Sequence, residues 1–132
     1  MAGTVSCARH SAPPLKKSVT LWQRLGSWSG RDNLQTESFI SASGYLRVKW
    51  ETSHETRPGA GTFRLTVGSS ISGRPLQVVA DFQGVGQNTA YVNEDPRTFY
   101  ALVESSNVDW RFTVDEGFPA TMEENPEPES RK

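Results

Sequence analysis

The chain has 132 residues with 14 basic and 15 acidic side chains, a formal net charge of −1, so no overall field draws it to DNA, RNA or an anionic membrane. Its length suits one domain able to bury a core unaided, and its single cysteine, Cys7, excludes an intrachain disulfide and a cysteine-built metal site. Hydrophobic residues make up only 35% of the sequence and no apolar run approaches the roughly 18 to 20 residues of a membrane span, so the core must rest on aromatic and β-branched residues at chosen positions.

Residues 1–18 carry Arg9, Lys16 and Lys17 without an acid, together with Pro13 and Pro14, and read as a disordered, solvated N-terminal tail. Within it, Thr4-Val5-Ser6-Cys7 before a polar, proline-bearing stretch resembles the end of a bacterial lipoprotein signal. That resemblance implies Cys7 as a lipidation site and membrane attachment through a lipid anchor. No apolar signal core follows Met1. The chain therefore reads as cytoplasmic unless an export segment precedes the given start, in which case it is extracytoplasmic or in the cell envelope.

From Val19 to Gly117, runs of alternating apolar and polar residues are separated by clusters rich in Gly, Ser, Asn, Asp and Pro, the pattern of sequential strands. In the first, Thr20 to Trp28, the two tryptophans Trp22 and Trp28 fall on one side of a regular strand, opposite Leu21 and Leu25. Facing outward with Arg24 between them, they would form a ligand platform. A break at Gly26 would bury them instead. Leu34 to Ser41 follows as a second strand with imperfect alternation. Gly44 to Thr52 is the clearest: Leu46, Val48 and Trp50 point one way, Arg47, Lys49 and Glu51 the other. Thr62 to Val67 repeats it with Phe63, Leu65 and Val67 inward, and the Arg57–Gly61 loop suggests that these two strands pair as neighbours.

Pro75 to Phe82 and Gln87 to Asn93 alternate less regularly, with Gln83-Gly84-Val85-Gly86-Gln87 as the loop between them; it lacks the third glycine and the helix of a dinucleotide site. The unbroken apolar run Phe99–Val103 within Arg97 to Glu104 suggests a central strand, and Ser105-Ser106-Asn107 a hairpin into Trp110–Val114. There Trp110, Phe112 and Val114 face inward. Trp50 and Trp110 are thus assigned to the core. Residues 118–132 hold Pro119, Pro126 and Pro128 among Glu123, Glu124, Glu127 and Glu129, a disordered acidic tail. About eight short strands without a helix to cover a single sheet point to an all-β, two-sheet antiparallel β-sandwich of jelly-roll or Greek-key type, with a closed β-barrel as the alternative.

Chemistry is sparse. The only histidines are His10, in the tail, and His54, in a polar loop where Glu55 or another acid could orient it. Adjacent residues of an extended chain point apart, and no nucleophile-elbow motif is present. Asn93, Glu94, Asp95, Asn107 and Asp109 are candidate calcium ligands that serve equally well as turn residues. The strand acids Glu51, Glu104 and Asp115 read as solvated, with no acid placed inside the core, so no catalytic residue or cofactor is expected.

Taken together, Trp28-Ser29-Gly30, Thr36–Phe39, Tyr45–Trp50, Gly61-Thr62-Phe63 and Phe99–Val103 through Trp110–Val114 resemble a small bacterial β-sandwich that recurs in exported proteins and lipoproteins of unassigned function. The likeness spans about 22–116. It implies a fold and an envelope location, and no activity. The leading expectation is a non-enzymatic binding module using Trp22, Arg24 and Trp28, with a carbohydrate or protein partner and no nucleic acid. Alternatives are an assembly domain pairing through a strand edge and a hydrolase-like enzyme using His54 and loop acids.

Overall fold

The structure, a computed structural model, describes residues 15–124. The described residues fall in two compact units: 22–118, and a second of the strand segments 15–21 and 119–124. The expected tails are therefore strand over 15–18 and 118–124. Cys7 and His10 lie outside the described residues.

Nine strands and no helix occupy the described residues: β1 (Leu15–Gly30), β2 (Leu34–Gln35), β3 (Phe39–Ser41), β4 (Tyr45–Ser53), β5 (Thr62–Ser69), β6 (Pro75–Gln83), β7 (Gly86–Asn93), β8 (Arg97–Ser106) and β9 (Asp109–Glu124). They form two sheets. One has the order β1-β9-β4-β7; the other has β2-β8-β5-β6, with β3 also pairing β8. Neither closes on itself, so the architecture is a two-sheet β-sandwich and the barrel alternative falls.

The order has a simple logic. With β2 and β3 counted as two parts of one strand on β8, the first strand pairs with the last, the second with the next to last, then β4 with β7 and β5 with β6. A long hairpin rolled into two sheets has this connectivity, that of a jelly roll. It corrects two sequence expectations. β4 and β5 do not pair: they lie in different sheets, β4 between β9 and β7 and β5 between β8 and β6. Nor do β8 and β9 form a hairpin, because the Ser105–Asn107 turn carries the chain from one sheet to the other. Its last residue, Asn107, adopts a left-handed φ of 62° that asparagine tolerates better than most residues.

Alternation sets the core. Leu46, Val48 and Trp50 of β4, with Trp110, Phe112 and Val114 of β9 beside them in the same sheet, face Phe63, Leu65 and Val67 of β5 and Phe99, Ala101 and Val103 of β8, all buried. Trp50 and Trp110 are core residues, as expected, at 6% and 3% exposure. Rings run through this interior in one connected series, Phe99–Phe39–Trp28–Phe112–Trp110–Phe63–Trp50–Phe82, with centroid separations of 5.1 to 6.2 Å. Such offset and tilted contacts add to the area that aromatic side chains remove from water.

The edges of this interior are fastened by polar groups. Glu116, 6% exposed, faces inward beside Leu46 and accepts hydrogen bonds from Ser41 Oγ and Ala42 N–H, each 2.8 Å, while Ser41 Oγ accepts from Gly44 N–H at 2.9 Å. This links β9 of one sheet to the end of β3 in the other. Gly44 is the residue the turn requires: its φ is +73°, and a Cβ there would collide with the backbone of Glu94 and Asp95. At the opposite end of β4, Thr52 Oγ1 donates to the Gly84 carbonyl (2.8 Å) and accepts from Gly86 N–H (2.9 Å). The core thus holds an acid the sequence pattern did not place there.

Candidate binding face

The outward residues of β9, β4 and β7 form cross-strand rows fixed by the register: Asp115–Arg47–Tyr91, Thr113–Lys49–Thr89 and Arg111–Glu51–Gln87. Each row is a consequence of the same alternation that buries the residues between them. β1 adds Trp22 and Arg24.

At one end of this face stand three rings. Trp22 lies 5.3 Å from Tyr45 and 6.1 Å from Tyr91, and Tyr45 stacks on Tyr91 at 6.2 Å. The guanidinium of Arg47 sits 4.2 Å over the Trp22 ring, a cation–π contact. Trp22 is therefore half-buried and covered by Arg47, while Tyr91, 51% exposed, presents the most accessible ring of the three. Trp28 departs from the expected platform. Its ring turns inward, stacks on Phe112 at 5.1 Å and packs on Phe39 at 5.5 Å, with Nε1–H directed at Glu37 Oε1 (3.4 Å). The ring lies against Gly26, where a Cβ would overlap it. Leu25 and Trp28, three residues apart, both pack against the core, so the strand's alternation breaks between them and Trp22 and Trp28 end on opposite faces.

Beside the rings, Asp115 binds two guanidiniums: Arg24 Nε donates to Oδ1 at 2.5 Å, and Arg47 donates to Oδ2 through Nε (3.2 Å) and Nη2 (3.0 Å). The side chain of Asp115 is 3% exposed, so it is not the solvated acid its outward position suggested. Burial by itself would raise its pKa; the hydrogen bonds and charges of Arg24 and Arg47 outweigh burial and hold the carboxyl below its ordinary value. Asp115 thereby fixes Arg24 and Arg47 against the sheet.

Across the other two rows runs an open groove of about 540 Å³, lined by Arg24, Lys49, Glu51, Gln87, Asn88, Thr89, Arg111 and Thr113, with Trp50 and Phe112 beneath. Arg111 Nε donates to Glu51 Oε2 at 2.8 Å. Lys49, exposed in the middle row between Thr113 and Thr89, has no ion-pair partner among the described residues. The groove can therefore offer hydroxyls, amides and a cation to a ligand over a floor of buried core side chains. Trp22 and Arg24, which the sequence singled out, stand beside this face; Tyr45, Arg47, Lys49, Tyr91 and Arg111 were not singled out. Their signal was the off-core half of each alternation.

A second depression, about 490 Å³, contains Arg31, Ser53, His54 and Asp109. His54 Nδ1 lies 3.2 Å from Asp109 Oδ2 and 3.2 Å from Ser53 Oγ. Both partners meet the same ring nitrogen, so the carboxylate cannot orient the imidazole through one nitrogen while the other takes the hydroxyl proton, as a catalytic triad requires. Glu55 does not orient it either: that carboxylate accepts from Gly59 and Gly61 N–H at 3.1 and 3.2 Å, closing its own loop. Asp109 is instead bound by Arg31 Nη1 at 2.7 Å, and chiefly for that reason its carboxyl is held below the ordinary value.

The calcium candidates separate into two sets. Asn93 pairs with Tyr45 at one end of β4, next to Glu94 and Asp95, whereas Asp109 pairs with Ser53 at the other, next to Asn107. They share no site, and no group of three or more His, Asp or Glu side chains suited to a metal ion occurs among the described residues. No protein-family model matches the chain, and a search of curated proteins returns no match.

Proposed function

We propose that the protein is a non-enzymatic binding module that holds an extended sugar chain on the outer face of the β1-β9-β4-β7 sheet. The observation that carries this reading is the polar groove beside the exposed ring of Tyr91. Its volume lies within the roughly 300 to 1,000 Å³ usual for small-ligand sites. Sugars present both apolar ring faces and arrays of hydroxyls. Tyr91 supplies a flat surface for the former; Gln87, Asn88, Thr89 and Thr113 supply donors and acceptors for the latter. Trp22, Tyr45 and Arg47 act behind Tyr91 as its support. Because the groups stand on paired strands rather than on loops, little ordering accompanies binding. The likeness of the core residues to exported bacterial domains supports placing that ligand outside the cytoplasm.

Electrophoresis of the full chain through native gels containing soluble polysaccharides, neutral and acidic in separate gels, tests the reading. At least one polysaccharide should retard the protein, and Tyr91→Ala should abolish the retardation while leaving the far-ultraviolet circular dichroism unchanged. Unretarded migration in every gel would contradict it.

A further inference from the structure

If the groove holds a sugar chain, as proposed, the charges lining it narrow the class of sugar. Around the groove and its adjoining row stand the cations Arg24, Arg47, Lys49 and Arg111, against the carboxylates Asp115 and Glu51. Asp115 is shared by Arg24 and Arg47, and Glu51 is taken by Arg111. Lys49 is left at the centre of the face, its ammonium flanked in register by the hydroxyl-bearing Thr113 and Thr89. A groove for a neutral glycan has no use for an excess of cations. We infer that the groove binds an acidic polysaccharide built of uronic acids, with a sugar carboxylate on Lys49, neighbouring hydroxyls on Thr113 and Thr89, and an adjacent sugar ring against Tyr91.

The alternatives fit less well. Duplex nucleic acid carries one charge per about 1.7 Å of axis, far denser than a face whose described residues leave Lys49 as its unpaired cation, in a chain whose net charge is −1. Acidic peptide motifs are read by clusters of free arginines; here Asp115 occupies Arg24 and Arg47, Glu51 occupies Arg111, and the rest of the groove's exposed lining is hydroxyl, amide and Lys49.

The test compares polygalacturonate and alginate with their esterified forms, in which the carboxylates are neutral and the backbone is kept. In affinity gels the wild-type chain should bind at least one acid polymer more tightly than its ester. Lys49→Gln should reduce that preference about fivefold, the scale of one exposed ion pair. About 1 M salt, where charges are screened beyond about 3 Å, should reduce it likewise. Equal or tighter binding of the esters, an unchanged preference in Lys49→Gln, or equally tight binding of poly-glutamate would overturn the inference. Retardation by neutral glycans alone would overturn it while keeping the sugar-binding reading; retardation by no polysaccharide would overturn both.

Discussion

At the scale of single residues, two side chains show how environment decides role. Trp28 is interior because residue 26 has no Cβ: its ring occupies the space one would fill. Gly26→Ala should displace the ring from Phe112 and lower stability by about 1 to 3 kcal/mol in urea denaturation, the range for overpacking. Asp115 owes its low pKa to Arg24 and Arg47 overcoming burial. Because the folded value lies below the unfolded one, its stabilisation is present above the ordinary carboxylate pKa of 3.8 and is lost as pH falls from there through the lower folded value. Melting temperatures should therefore drop less between pH 7 and pH 3 in Asp115→Asn than in the wild type. Neither role was legible in the sequence. Alternation identified Asp115 as outward, but outward equals solvated only where no long side chain from a neighbouring strand lies over the position, and here Arg24 reaches across from β1.

At the scale of elements, β4 was the most legible because both of its faces are unambiguous: Leu46, Val48 and Trp50 in, Arg47, Lys49 and Glu51 out. Its partners were not. Residues adjacent in sequence suggested β5, whereas the register gives β7 and β9, so the rows that make the candidate binding face became visible only with the structure. The same non-local pairing explains why Tyr91 was missed: nothing within β7 indicates that Tyr45 and Trp22 stand beside it. Between elements, Glu116 is the decisive tie. Glu116→Ala should leave Ala42 N–H and Ser41 Oγ without their acceptor and cost about 2 kcal/mol, and Glu116→Gln, which keeps an acceptor oxygen, should cost less; chemical denaturation of the two variants separates the values.

At the scale of the whole molecule, fold class was legible where connectivity was not. Short alternating runs between turn clusters required a helix-free, layered β fold, and the structure adds the jelly-roll order in which first and last strands pair. That order divides the aromatic residues by purpose. One series of rings fills the interior, and Phe112, which joins Trp28 to Trp110 within it, should cost about 3 to 5 kcal/mol on replacement by alanine. Trp22, Tyr45 and Tyr91 stand apart on the outer face beside the cationic groove. Fold by itself assigns no function; the proposed binding role rests on the separation of these three rings and of Lys49 from the packing. Titration of isotopically labelled protein with galacturonate and guluronate oligosaccharides, followed by amide nuclear magnetic resonance, tests this most directly. With at least one of them, shifts should concentrate at Lys49, Thr89, Tyr91 and Thr113; a spectrum unmoved by both, or shifts confined to the opposite sheet, would contradict the account.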